Sequence, residues 1–420
     1  MKIALIGAGS RGMVYSRYAH DFLGAEIVAA ADLIAGRREY AGKLLGIRED
    51  MIFTDPMEMV KAVPDADALI VASMDRDHYL HAMAGLSRGW DILLEKPISP
   101  DPVECLKLWK KAEEKRCSIT VCHVLRYAPF FIKVKEILDS GRLGRIVTID
   151  HTENIGNFHM AHSFVRGNWR NDRMTSPIIM QKSCHDMDIL LWLTGKKALR
   201  LFSAGSLNYF TPTHAPEDST ERCLDCPAAA GCRFDARKAY LPTAGSWPST
   251  VLTQDQTEEG ILRALRDGIY GRCVYRCDNN VCDHQSTVIE FEDGITACFT
   301  MSGLTNRMCR TVHIMCEDGE LWGDDGRGEI RISPFRSGGA DEYSEEVIHI
   351  RDVSGGHGGG DEGLMNDFAA GLHRRRFEES RSSIRNSVES HIMACAAEES
   401  RLNSRMIDLS AYTDRLLSKL

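Results

Sequence analysis

The sequence predicts an α/β protein: a doubly wound parallel sheet over residues 1–125, then an α+β domain over 126–420 built on a mainly antiparallel sheet. Three observations predict it. Short apolar runs alternate with helical patterns through the first 125 residues; a glycine-rich turn follows the first run; and beyond residue 126 strand-like segments recur, two of them joined by Asp293-Gly294.

The first-domain strands are read at 3–6, 27–30, 68–71, 92–94 and 119–121. Each is apolar on both faces, as a strand between two helical layers must be. Helical stretches at 11–23, 35–45, 77–88 and 101–115 supply the crossovers, and Ser99-Pro100-Asp101-Pro102 joins an N-cap aspartate to a first-turn proline. In the second domain 146–149, 286–291, 295–300 and 311–315 read as strands, the Asp-Gly pair making a hairpin of the middle two. Residues 205–284, rich in Pro, Cys, Asp and Thr without periodicity, read as a Cys-rich, mostly irregular insertion. Helical spacing returns in the tail, with Leu364, Phe368 and Leu372 on one face and Ile384, Val388 and Ile392 on another, giving C-terminal helices over 362–404.

A chain of 420 residues can bury a sizeable core. Its 51 Lys and Arg against 60 Asp and Glu, net -9, argue against nucleic-acid binding, which rests on clustered cations. The first seven residues read as a strand entering a glycine turn rather than a signal peptide, and no apolar run approaches the roughly 18 residues of a membrane span. The expectation is a cytoplasmic protein with reduced thiols and no membrane partner.

Gly7-Ala8-Gly9-Ser10-Arg11-Gly12 is a G-x-G-x-x-G turn between a strand and a helix. Its glycines let backbone approach a pyrophosphate, and the helix start offers free N–H groups. Asp32 ends the second strand 20 residues after Gly12, where its carboxylate can accept both adenosine ribose hydroxyls. A 2′-phosphate would meet that negative charge, so NAD is expected over NADP; Arg37 and Arg38 leave NADP open.

Further motifs follow in order: Asp77-His78-Tyr79-Leu80-His81-Ala82, Glu95-Lys96-Pro97, Arg126-Tyr127, Gly141-Arg142-Leu143-Gly144, and the helix His185-Asp186-Met187-Asp188-Ile189-Leu190-Leu191-Trp192-Leu193. With the glycine turn, this set resembles the glucose-fructose oxidoreductase/inositol dehydrogenase family, Gfo/Idh/MocA. The resemblance implies a Rossmann domain followed by an open-faced sheet domain. It also implies homodimers or homotetramers through that sheet, and an NAD(P)-dependent dehydrogenase acting on a sugar, glycoside or polyol hydroxyl. It implies Lys96 and His185 as the catalytic pair, with Glu95, Lys96 and Pro97 joining Gly7, Gly9, Ser10, Arg11, Gly12 and Asp32 at the cofactor. Chemically, one group must take the hydroxyl proton and a cation must steady the alkoxide, and imidazole and ammonium suit these tasks. Many members carry an aspartate four residues before the histidine; here Gln181 stands there, followed by Lys182, and glutamine cannot take a proton. Asp188 is read either as orienting His185 or as a helix-face carboxylate.

The stretch 157–170 is dense in hydrogen-bonding and aromatic residues, so His159, His162, Arg166, Trp169 and Arg170 are candidates for holding a polyhydroxylated substrate, with Gln181 and Lys182. His357, in a glycine-rich stretch, is either a further ligand-facing residue or part of a linker. Cys223, Cys226 and Cys232 give C-x2-C-x5-C, and Cys277 is the expected fourth ligand of a structural zinc; an iron–sulfur cluster and unmetallated thiols are the alternatives. Besides the dehydrogenase, a redox-assisted glycoside hydrolase with His159, His162 or His357 as a second base, and a non-catalytic nucleotide-binding regulator, remain open.

Overall fold

The computed structural model describes residues 1–335, 344–350, 356–374 and 380–420; part of the expected tail helices, 375–379, lies outside the described residues. The first domain carries β1 (Lys2–Ile6), β2 (Glu26–Ala31), β3 (Ile52–Phe53), β4 (Ala68–Val71), β5 (Asp91–Leu94) and β6 (Ile119–Val121). They form one sheet in the order β3-β2-β1-β4-β5-β6, every pair parallel. The crossovers are α1 (Ser10–Leu23), α2 (Ala35–Leu45), α3 (Pro56–Ala62), α4 (His78–Ser87) and α5 (Pro102–Lys115). The Asp101 carboxylate caps α5, accepting from the Val103 N–H at 2.8 Å. Ile3, Leu5, Leu69, Ile70, Leu93 and Leu94 have no exposed surface, as strands covered on both faces require.

After α6 (Pro129–Asp139) comes a nine-stranded sheet of β7 (Ile146–Asn154), β8 (Ala198–Ser206), β9 (His284–Phe291), β10 (Thr296–Ser302), β11 (Cys309–Cys316), β12 (Gly319–Asp324), β13 (Glu329–Pro334), β14 (Glu346–His349) and β15 (Ile407–Asp408). Its order is β14-β13-β12-β11-β7-β10-β9-β8-β15, antiparallel except where β10 meets β7. The expected hairpin joins β9 to β10, with Asp293 and Gly294 both at positive φ, 60° and 77°. Alternate residues Ile289, Phe299 and Ile314 face the core, while Phe202, Val288 and Trp322 stand exposed.

Between β7 and β8 lie α7 (Asn157–His159), a π-helical stretch Met160–Arg166, α8 (Ile178–Gln181) and α9 (Cys184–Thr194). The insertion is more ordered than its composition suggests. It holds α10 (Ala236–Tyr240), α11 (Ser249–Leu252) and α12 (Glu258–Asp267), around a small core of Cys223, Ala236, Tyr240, Ile261, Leu265 and Tyr270. In the tail, α13 (Gly360–Arg374) packs on α1, and α14 (Ile384–Asn403) on α5, α9 and β8, before α15 (Leu409–Leu417) closes the chain. The chain just before α14 extends the first sheet: the Val121 N–H donates to the Ser382 carbonyl at 2.8 Å, and Thr120 bridges Ser383. Among the described residues no helix is long and apolar enough to cross a membrane.

Candidate active site

The three glycines of the first turn are required for different reasons. A Cβ on Gly7, at φ +89°, would sit 2.3 Å from the Ala72 carbonyl oxygen, and one on Gly12 only 1.9 Å from that of Gly7. On Gly9 a Cβ meets nothing nearer than Arg37 Nη1 at 3.7 Å. Two glycines therefore pack the turn, and the third leaves open backbone ahead of α1, the place a pyrophosphate needs. Ser10, the exposed first residue of α1, adjoins it. Asp32, just past β2, accepts from the Ala8 N–H at 2.9 Å and the Ile34 N–H at 2.8 Å, so its carboxylate is fixed against the glycine turn. These residues fit a dinucleotide.

Glu95 and Lys96 follow β5 at the carboxyl edge of the sheet, where such sheets bind ligands. Glu95 turns inward: it accepts from Arg11 Nε at 3.1 Å, the Tyr15 hydroxyl at 2.7 Å and the Lys96 N–H at 2.9 Å. Arg11 is also held by Asp361, at 2.6 and 3.0 Å. Its guanidinium is thus engaged by protein carboxylates and ties the turn to β5 and α13. Tyr15 is not marked by a motif, and Asp361, at the end of the glycine-rich stretch, lies 350 residues from its partner. The Pro97 carbonyl lies 2.7 Å from His78 Nδ1, which braces the chain after Lys96.

The Lys96 ammonium donates to the Gln181 carbonyl at 2.7 Å, linking the β5 edge to α8. His185 stands in the first turn of α9, 4% exposed, its Nδ1 without a partner. Burial, then the charge of Lys96, holds its imidazole well below the usual histidine range, so it is a neutral acceptor at physiological pH. His357, in a positive-φ conformation, lies 6.1 Å from His185 between ring centroids and bonds Asp361 through Nδ1 at 3.1 Å. His159 joins the group: burial, followed by Lys182, His162, Lys96 and His357, drives its basicity down. Lys182 reaches the buried Glu153 at 3.3 Å, Glu153 pairs with Arg310, and Arg310 continues to Asp186 at 2.8 Å and thence to His151 at 2.8 Å.

Asp188 does not meet His185. Its two oxygens accept from Arg126 at 2.6 and 2.7 Å, and one lies 3.3 Å from His123 Nδ1, because α9 lies over the turn after β6 and presents this carboxylate to it. Four expected substrate contacts are likewise engaged within the protein. Arg166 donates to the Arg272 and Phe234 carbonyls and to Cys223 Sγ; Arg170 pairs with Asp278 at 2.6 Å. His162 bonds the Tyr240 hydroxyl and stacks on Tyr270, while Trp169 Nε1 donates to Asp75 at 3.4 Å. They moor the insertion and the 167–176 loop. The structure converges His159, Gln181, Lys182 and His357 on Lys96 and His185. It adds Trp247, 42% exposed and edge-on to His159 at 5.3 Å, a Trp-Pro pair lost in the uneven composition of the insertion.

The expected zinc set is corrected. Cys223, Cys226, Cys232 and Cys273, rather than Cys277, line a cavity of about 20 Å³, and Cys277 Sγ turns to the Cys273 carbonyl at 3.2 Å. Among the described residues no group of three His, Cys, Asp or Glu is disposed to hold a metal ion. The small apolar core and the Arg166 bonds supply the cohesion that a metal was expected to give.

The chain is 24% identical over 327 residues to YteT of Bacillus subtilis, covering 76% of this chain and 75% of that protein. It is 30% identical over 201 residues to inositol 2-dehydrogenase 2 of Saccharopolyspora erythraea, 47% of this chain but only 55% of that relative. Its fold matches scyllo-inositol dehydrogenase from Lactobacillus casei, solved with bound NAD(H) and scyllo-inositol, at a TM-score of 0.66 and 16% identity, covering 98% of this chain and 99% of that one. Residues 1–123 match the Gfo/Idh/MocA model for an oxidoreductase family NAD-binding Rossmann fold, and residues 135–409 match the model of its C-terminal alpha/beta domain. The chain belongs to the Gfo/Idh/MocA oxidoreductase family.

Proposed function

We propose that this oxidoreductase transfers a hydride between NAD and a secondary hydroxyl, or the matching ketone, of a sugar or polyol. The observation that carries the reading is the meeting of two groups at the carboxyl edge of the parallel sheet: the Lys96 ammonium, donating to the Gln181 carbonyl at 2.7 Å, and the buried His185, whose Nδ1 has no partner. Bound NAD, held by the Gly7–Gly12 turn and Asp32, would supply the hydride acceptor. His185 takes the hydroxyl proton, and Lys96 steadies the oxygen as negative charge builds on it. Asp32, fixed by two backbone N–H groups, retains lone pairs for ribose hydroxyls and repels a 2′-phosphate, which supports NAD over NADP. The inositol dehydrogenases among the relatives support a polyol substrate.

The test is a panel of inositols, sugars and aryl glycosides with NAD, following NADH absorbance and aglycone release together. Net NADH that Lys96→Met and His185→Ala both abolish supports the reading; wild-type turnover in either folded variant refutes it. A second reading rests on His159, another neutral imidazole beside the pair. A redox-assisted glycosidase would release aglycone with no net NADH, His159 taking the proton next to a transient ketone.

A further inference from the structure

The Cys-rich insertion carries one tryptophan, Trp247, and the fold leaves it 42% exposed. The turn beneath it is well bonded. The Gly245 N–H donates to Gln256 Oε1 at 2.9 Å and the Thr250 N–H to the Ser246 carbonyl at 3.1 Å, while the Ser249 hydroxyl donates to the carbonyl of Tyr240, in the insertion's small core. Hydrogen bonds on both sides thus hold the indole in place while leaving it open. Three rings meet it, all nearly at right angles: Phe158 at 5.9 Å and 89°, His159 at 5.3 Å and 85°, and His162 at 5.3 Å and 82°. Among the described residues no ring lies parallel to the indole, so its broad face has no stacked partner.

These three rings come from the stretch 158–162, which leads into the 167–176 loop. That loop is pinned to the first domain at the carboxyl edge of its sheet. Trp169 Nε1 and the Ser176 hydroxyl donate to Asp75, shortly after β4, at 3.4 and 2.6 Å, and Arg76 donates to the Asp172 carbonyl at 2.8 Å. β4 pairs with β5, whose end carries Lys96. His159 feels the charges of Lys182 and Lys96, so the indole that touches it stands at the rim of the candidate site. Trp169, the indole expected to face substrate, is tied to Asp75 instead.

A fixed, uncovered indole beside hydroxyl-binding groups suits a six-membered ring whose C–H bonds cluster on one face while its hydroxyls radiate from the edge. Such a face is apolar and slightly positive, and the face of the indole is negative. An open-chain polyol offers no comparable face unless its backbone rotations are frozen, which costs entropy.

We propose that Trp247 determines specificity by stacking on the C–H face of a cyclic substrate, a pyranoside or cyclitol, and so favours a closed ring over an open chain. The inference rests on the sugar or polyol reading of the site and does not need hydride transfer. Calorimetry on NADH-loaded protein, which cannot oxidise an alcohol, tests it with methyl glucosides, methyl galactosides and myo-inositol against glucitol and galactitol. At least one ring should bind, and Trp247→Ala should weaken that binding about tenfold while changing open-chain binding by less than about twofold. Trp247→Phe, which keeps an aromatic face, should restore part of the loss. In fluorotryptophan-labelled protein, the fluorine resonance that Trp247→Phe removes should shift when the ring is added. The proposal is overturned if wild type binds no ring, if Trp247→Ala leaves ring binding unchanged or weakens ring and chain equally, or if that resonance responds to protein concentration and not to the ring, which would place the indole between two copies of the chain. Trp247-dependent ring binding with no NADH formed from NAD leaves it standing and refutes the hydride-transfer reading instead.

Discussion

Asp188→Asn separates two roles that the helix position of this residue leaves open. The carboxylate is 1% exposed, with two short bonds to Arg126 and His123 at 3.3 Å. Asparagine keeps the shape but removes the charge and points an N–H₂ group at one guanidinium nitrogen, leaving Arg126 buried and unpaired apart from the Arg381 and Asn386 carbonyls. Breaking a buried pair from one side costs about 3–5 kcal/mol. At about 2 °C per kcal/mol for a large chain, the thermal midpoint should fall by roughly 6–10 °C. Scanning calorimetry measures that fall, and initial rates well below the transition measure turnover. The structure predicts the large loss of stability with turnover within a few-fold of wild type. Unchanged stability with turnover down by about a hundredfold or more would mean that Asp188 serves His185 after all, and the clamp assignment would be wrong.

The glycine turn offers a contrasting pair. Gly12→Ala, whose methyl would overlap the Gly7 carbonyl, should cost about 1–3 kcal/mol in denaturant midpoint, whereas Gly9→Ala should cost under about 1 kcal/mol yet weaken NAD binding at least about tenfold by fluorescence titration. Equal stability loss in both would refute the division of labour. The buried His391 gives a pH prediction: burial, then His123, lowers its imidazole to about 3, and its Nε2 accepts from the Ile98 N–H. The unfolded chain takes the proton first as pH falls, so its contribution is complete above about pH 6.5 and declines by about 1.4 kcal/mol per unit below that until about pH 3. Chemical unfolding from about pH 7 to about pH 4.5 should lose roughly one proton's worth of slope in His391→Gln, and an unchanged slope would count against it.

The parallel strands were legible because β1, β4 and β5 are apolar on both faces, a pattern few other settings allow. The hairpin was legible through Asp293-Gly294. The far half of the second sheet was not: β12 opens on a glycine and β13 mixes Arg331 and Glu329 with isoleucines, so their strand character comes from the pairing of β12 with β11 and of β13 with β12. At the candidate site, Lys96, His185 and the glycines stand out in the sequence because each occupies a short motif. Glu153, Arg310 and Asp186 were not. Buried charges look like surface residues until the sheet brings partners from distant segments together. Arg166 shows the opposite error, since a guanidinium in a polar stretch suggests a ligand contact until the Phe234 and Arg272 carbonyls fold onto it.

The bond from Arg11 to Asp361 also constrains how the protein can be made. During synthesis the nucleotide-binding half leaves the ribosome first, and its sheet can assemble early from neighbouring segments. Its cofactor turn is nevertheless completed by a carboxylate translated 350 residues later, and its last strand is paired by Ser382. A nascent or truncated first half would hold the glycines without the Arg11–Asp361 clamp behind them.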